Sequence, residues 1–217
     1  MQAVLFDMDG TLVDTEPYWI AAEYRLVEQY GGTWNDVHAH ALVGNALETS
    51  AEYIRDVGGV PLEPAEIIER LLDEVVAEAE RAMPWRPGAL ELLGELRAAR
   101  IPCAMVTMSY ARLAATLVAQ LPRGAFATVV SGDEVADGKP HPEAYLTAAE
   151  RLGVDPRRCV AIEDSNTGVA SAEAAGCVVV AVPHHVPIPP ASGRVLVTSL
   201  AELSVAELNR LVAERAG

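Results

Sequence analysis

Asp7 and Asp9 stand two residues apart where an apolar run, Ala3-Val4-Leu5-Phe6, breaks into Asp7-Met8-Asp9-Gly10-Thr11. The run reads as a buried strand emptying into a tight acidic turn. If that strand is central in a parallel sheet, both carboxylates face the crevice where open α/β sheets bind their ligands. Taken alone, Asp9-Gly10 is also an ordinary turn dipeptide and Asp7 a strand terminator. Three further segments bear on the choice. One apolar stretch ends in Thr107-Met108-Ser109, a hydroxyl followed by amides entering a helix; Lys139-Pro140 follows the next stretch; and Cys159 to Ile162 runs out into Glu163-Asp164-Ser165-Asn166. Lys139 is the only lysine among 16 basic residues, and a compact ammonium on a flexible stem does what a planar guanidinium cannot. Singly, Thr107 is a strand-end hydroxyl, Lys139 a solvated surface lysine and Glu163-Asp164-Ser165 a helix cap. Together they gather acids, hydroxyls and one cation on one sheet edge.

Periodicity supplies the elements that must position them. From Gly88 onward helix and strand alternate. Helices over Ala89 to Arg100, Tyr110 to Leu121, Pro142 to Leu152 and Gly168 to Ala175 precede strands at Ile101 to Val106, Ala127 to Val130, Cys159 to Ile162 and Cys177 to Val182. Strands separated by such helices imply a parallel sheet with right-handed crossovers, and their near-continuous apolar character implies burial on both faces. A short strand at Val195 to Val197 and a helix from Ser204 to about Arg215 follow. The proline-rich Val182 to Pro190 reads as a surface loop, in which His184 and His185, following a strand near the same edge, either touch a ligand or are solvated.

Glu16 to Arg81 has a different texture, with helical spacing throughout and no strand. Its segments are Glu16 to Tyr30, with Ile20, Ala21, Tyr24 and Val27 on the apolar face and Thr15 as N-cap, then Asn35 to Leu42, Leu47 to Asp56 and Glu63 to Arg81. The last carries the stripe Ile67, Leu71, Leu72, Val75, Val76 and Ala79. His38 and His40 sit off a common helical face and read as no metal site. The expected organisation is an α/β, Rossmann-like core over 1–15 and 88–217, with an all-helical domain over 16–87.

Composition narrows the function classes. Hydrophobic residues make up 51% of the 217 residues, yet no apolar run approaches the roughly 20 residues of a membrane span. Met1 leads almost directly into the first strand, so export is not expected and a cytoplasmic location is. Cys103, Cys159 and Cys177 lie in strand-like runs, a pattern of reduced core thiols. The net charge of −15 argues against nucleic acid or an anionic membrane as partner. A small anionic substrate remains compatible, provided the site supplies local positive charge.

The ordered set FDMDGT, VTMS, DGKPHPE and IEDSNTGV resembles the four signature motifs of the haloacid dehalogenase superfamily of phosphohydrolases. The helical insert after the first motif resembles the cap of its β-phosphoglucomutase-like subgroup. The resemblance implies that Asp7 is a nucleophile forming an aspartyl-phosphate. It implies that Asp9 is the general acid and base, and that Mg²⁺ is held by the Asp7 carboxylate, the Asp9 carbonyl and Asp164, with Glu163 behind them or in their place. Lys139 would bridge phosphate and nucleophile, and Gly10, Thr107 and the Met108 and Ser109 amides would hold the phosphoryl group at a helix N-terminus. The charges require such partners: two carboxylates about 4 Å apart repel by roughly 4 kcal/mol at an effective dielectric near 20.

In such enzymes the cap supplies substrate contacts. Tyr18 and Trp19, at the cap entry, are candidates to wall the leaving-group pocket or to be buried between cap and core. Leu42 to Glu48, with Asn45 at its centre, resembles the cap specificity loop. Where the mutases carry a basic residue to hold a second phosphate, this chain has Leu47 and a cap without lysine. The expectation is a phosphatase acting on a small phosphate ester, leaning to a sugar phosphate, as a monomer or weak homodimer. A phosphomutase is the alternative, and a non-enzymatic phospho-ligand binder on the same fold the competing class.

Overall fold

Six parallel strands among the described residues carry the chemistry-bearing segments: β1 (Ala3–Phe6), β2 (Cys103–Val106), β3 (Thr128–Val130), β4 (Cys159–Glu163), β5 (Val178–Ala181) and β6 (Arg194–Leu196). The structure, a computed structural model, describes residues 1–42 and 45–216. Val43 and Gly44, which belong to the expected specificity loop, lie outside the described residues. The strand order is β3-β2-β1-β4-β5-β6, so β1 is flanked on both sides by parallel neighbours. Leu5 pairs with Ala104 of β2 and with Ala161 of β4, which brings the carboxyl ends of the three strands level. All four residues of β1 are fully buried; burying side chains such as Leu5 and Phe6 is worth about 1.5–3 kcal/mol each. The fold is thus the expected α/β core.

The chain divides into two compact units, one of Met1–Asp14 with Trp85–Gly217 and one of Thr15–Pro84. The second crossing falls three residues earlier than the sequence suggests. Trp85 and Arg86 belong with the sheet because Val13 bridges Trp85 and the Arg86 amide donates to the Leu12 carbonyl (2.9 Å). Within the sheet unit, α5 (Ala89–Ala98), α6 (Ala111–Ala119), α7 (Glu143–Leu152), α8 (Asn166–Ala174) and α9 (Val205–Ala216) accompany the strands. Alternate strand residues Leu5, Ala104, Ala161 and Val179 form one core with Tyr145 and Ala148 of α7 and Val169 and Ala172 of α8. Ile188 joins this core, so the proline-rich segment after β5 is anchored as well as exposed. The three cysteines are buried free thiols, and burial pushes Cys103 and Cys177 up to about 12.

The other unit is helical: α1 (Glu16–Gln29), α2 (Asp36–Leu42), α3 (Leu47–Gly58) and α4 (Pro64–Arg81). On α4 the buried stripe contains every apolar position expected from the spacing, with Ile68 added. α1 departs from expectation. It buries Ala22, Glu23, Leu26 and Val27, and Thr15 at its N-cap makes no side-chain capping bond. The apolar-count reading missed this face because a carboxyl lies on it. Glu23 is buried and accepts a hydrogen bond from the Trp34 indole nitrogen (3.3 Å).

Burial raises the Glu23 pKa to about 8, against the Trp34 hydrogen bond that lowers it. The folded protein therefore holds this proton more tightly than the unfolded chain. The stability it contributes is complete below the ordinary glutamate range and is lost as pH rises through about 8. Glu23→Gln should remove that dependence. Its melting temperature, measured against wild type from pH 5 to 9, is expected to pull ahead as pH rises, by the equivalent of a few kcal/mol, order of magnitude. A difference independent of pH would show that Glu23 is charged in the fold.

Candidate active site

The sheet ladder continues one residue past the strands and fixes the backbone of the site. The Asp7 amide donates to the Ile162 carbonyl (3.0 Å), the Thr107 amide to Val130 (2.9 Å) and the Val182 amide to Glu163 (2.7 Å). Asp7, Thr107 and Glu163 therefore leave neighbouring strands at one edge with little backbone freedom. All three are buried.

Lys139 reaches this edge from the segment before α7 and spends all three ammonium protons there. Its Nζ donates to Asp7 Oδ1 (2.7 Å), Glu163 Oε1 (2.6 Å) and the Val106 carbonyl (2.8 Å). The side chain is only 4% exposed. Burial opposes its charge, but the carboxylates of Asp7 and Glu163 prevail and hold its pKa above the ordinary lysine value. Glu163 Oε1 also accepts from the Tyr145 hydroxyl (2.7 Å), and Oε2 accepts from Ser165 (3.3 Å). Through Oε1, Glu163 therefore helps to position Lys139. Tyr145 escaped the sequence reading because a tyrosine on the apolar face of a helix looks like core, yet its hydroxyl donates to Glu163.

Asp9 is held by hydroxyls. Its Oδ2 accepts from Ser109 Oγ (2.7 Å) and Thr107 Oγ1 (3.3 Å). α6 begins at Ala111, whose amide is taken by Asp133 Oδ1 (3.0 Å), and the Ser109 amide donates to Thr107 Oγ1 (3.0 Å). Met108 and Ser109 thus precede the helix, as the expected start at Tyr110 places them; the Ser109 hydroxyl, unremarked in the sequence, is bonded to Asp9 and its amide to Thr107. Met108 places its sulfur 3.2 Å from the Lys139 amide.

Asp164 lies against the backbone of the first motif. A Cβ on Gly10, whose φ is +82°, would sit 2.0 Å from Asp164 Oδ2. The Gly10 carbonyl is tied down by Arg86 Nη1 (2.7 Å), a contact across 76 residues that no local pattern reveals. Left-handed backbone alone costs a non-glycine residue about 1–2 kcal/mol, and the clash adds to it. Gly10→Ala should lower activity at least about tenfold, the equivalent of 1.4 kcal/mol, while circular dichroism keeps the α/β signature. Wild-type turnover in this variant would show that the close approach is unimportant.

Asp7, Glu163 and Asp164 can bring ligand atoms within 4.8 Å of one another. Asp7 Oδ2 is buried with no hydrogen-bond partner among the described residues, an arrangement costly unless something else satisfies it. Burial first, then the charges of Asp7 and Glu163, pushes Asp164 up to about 9. An all-oxygen set this rich in buried acids fits a hard divalent cation. Within this set Glu163 Oε1 already accepts from Lys139 and Tyr145, while Asp7 Oδ2 is the buried oxygen without a partner.

The remaining sequence candidates, Tyr18, Trp19 and Asn45, fall in the helical unit. Tyr18 donates its hydroxyl to the Ala82 carbonyl (2.7 Å), joining the start of α1 to the end of α4, and Asn45 donates its side-chain amide to Ala41 (3.0 Å) at the end of α2. Trp19 is half-buried in the first turn of α1.

Acids, hydroxyls and one buried cation gather at the carboxyl edge of a parallel sheet, an arrangement suited to phosphoryl transfer. The family model for haloacid dehalogenase-like hydrolases matches residues 1–176, and the chain belongs to that family. It is similar to the phosphorylated carbohydrates phosphatase of Thermotoga maritima, 34% identical over 181 residues covering 81% of this chain and 82% of that protein. Hexitol phosphatase A of Escherichia coli is 38% identical over 181 residues, covering 82% of this chain and 81% of the relative. Among solved structures, CbbY from Rhodobacter sphaeroides in complex with phosphate superposes with a TM-score of 0.84 at 30% identity, covering 96% of this chain and 99% of that one. With these relatives the chain is a phosphoric monoester hydrolase.

Proposed function

We propose that the chain releases inorganic phosphate from a small sugar or sugar-alcohol phosphate in two displacements on Asp7. The observation that carries this reading is the state of the Asp7 carboxylate, one oxygen held by Lys139 at 2.7 Å and the other buried without a partner. Asp7 attacks phosphorus and the ester P–O bond breaks, with Asp9 giving its proton to the departing alkoxide. Asp9 then takes a proton from the water that attacks the aspartyl-phosphate, which returns Asp7 and frees phosphate. Thr107 and Ser109 keep the Asp9 carboxyl aimed, and Lys139 offsets charge on the phosphoryl group as a point charge. Asp7, Asp164 and the Asp9 carbonyl are the proposed ligands of Mg²⁺, which when bound supplies charge compensation for carboxylates and phosphate together.

The carbohydrate and hexitol phosphates named for the relatives support the substrate class. The position of Leu47 and a single lysine, already committed to Asp7 and Glu163, leave no lysine in the helical unit for a second phosphate. With Mg²⁺, phosphate release from hexose and hexitol phosphates is expected to exceed conversion of β-glucose 1-phosphate to glucose 6-phosphate. Faster isomerisation than release would overturn the phosphatase reading. Excess chelator should abolish release and added Mg²⁺ restore it; undiminished activity in chelator would remove the cation from the proposal.

A further inference from the structure

Away from Asp7, Glu163 and Asp164, a second group of ligand-type side chains converges on Asp14. His184 Nε2 lies 3.1 Å from Asp14 Oδ2 and His185 Nε2 lies 3.1 Å from Asp14 Oδ1. Consecutive side chains in extended chain point to opposite faces. Here the backbone bends after β5, and the two rings stand 4.0 Å apart, centroid to centroid, facing one carboxylate. The histidines remain partly exposed on their loop and also meet Asp14, His185 across 171 residues. All three residues belong to the sheet unit, whose first segment ends at Asp14.

We propose that Asp14, His184 and His185 form a binding site for a divalent first-row transition ion of the Zn²⁺ type, separate from the catalytic acids. One ligand atom from each of the three residues lies within 4.8 Å of the others, and each histidine nitrogen meets a different oxygen of the Asp14 carboxylate, so modest closure around an ion with bonds of about 2.0–2.1 Å would engage all three. Two imidazole nitrogens with one carboxylate select Zn²⁺, Co²⁺ or Fe²⁺ over Mg²⁺, which prefers oxygen. Partial exposure of all three side chains leaves a coordination position for water. Binding would join the segment after β5 to the segment after β1 through a single ion.

The test uses Co²⁺, whose visible absorption reports nitrogen-containing, low-coordinate sites, on protein held in excess Mg²⁺. Wild type and Asp164→Asn are both expected to bind one Co²⁺ displaceable by Zn²⁺, because the catalytic acids are not involved. His184→Ala and His185→Gln should each weaken binding by at least about tenfold, as removing a ligand costs no less than the ~10–100-fold of losing a group behind one. Independently of any variant, Zn²⁺ should protect both histidines of the wild type from diethyl pyrocarbonate, read by peptide mass. Absence of Co²⁺ absorption in wild type, equal affinity in folded histidine variants, or unprotected histidines would overturn the proposal.

Discussion

Asp7→Asn is expected to reduce phosphate release at least about 10³-fold while the protein stays folded. The fold is retained because the Asp7 backbone is fixed by the sheet ladder through Ile162 and the amide oxygen still accepts from Lys139. Chemistry is lost because an amide is no nucleophile toward phosphorus. Its NH₂ also occupies the place of the carboxylate oxygen that is buried without a partner. Thermal stability should be unchanged or higher, since Asp7 is one of the charges that push Asp164 and Glu163 up. Phosphate release and melting temperature measured on the same preparation check both halves. A rate within tenfold of wild type would deny Asp7 its role.

Lys139→Met is expected to impair both activity and stability. The substitution keeps bulk and removes the ammonium that joins Asp7, Glu163 and the Val106 carbonyl. Two acids then share a buried edge with no cation between them, and breaking a buried pair by deleting one partner typically costs 3–5 kcal/mol. Lys139→Arg should not rescue turnover, because a planar guanidinium cannot direct three protons at three convergent acceptors. Unfolding by denaturant gives the stability loss, and phosphate release at saturating substrate gives the catalytic one. A stable, active Lys139→Met protein would mean that the network is incidental.

Much of this edge was legible in the sequence, for a definite reason. Alternating helix and strand after Gly88 forces a parallel sheet, and a parallel sheet puts every strand's carboxyl end on one side. Asp7, Asp9, Thr107, Lys139, Glu163 and Asp164 could thus be assigned to one place without coordinates. What stayed hidden depends on contacts that local pattern does not encode. Tyr145 and Arg86 act through partners 18 and 76 residues away, and Asp14 meets its histidines across 171. Glu23 was invisible for the opposite reason, because a buried carboxyl breaks the apolar stripe by which a helix face is recognised. The start of α6 was legible to within one residue, but the Asp133 carboxylate that takes its first amide, 22 residues away in sequence, was not.

Covalent participation of Asp7 is the central claim, and the stereochemical course at phosphorus tests it most directly. An isotopically chiral thiophosphate ester turned over by the wild-type enzyme should give product with net retention, since two in-line displacements each invert the centre. Net inversion would mean a single attack by water and would contradict the aspartyl-phosphate.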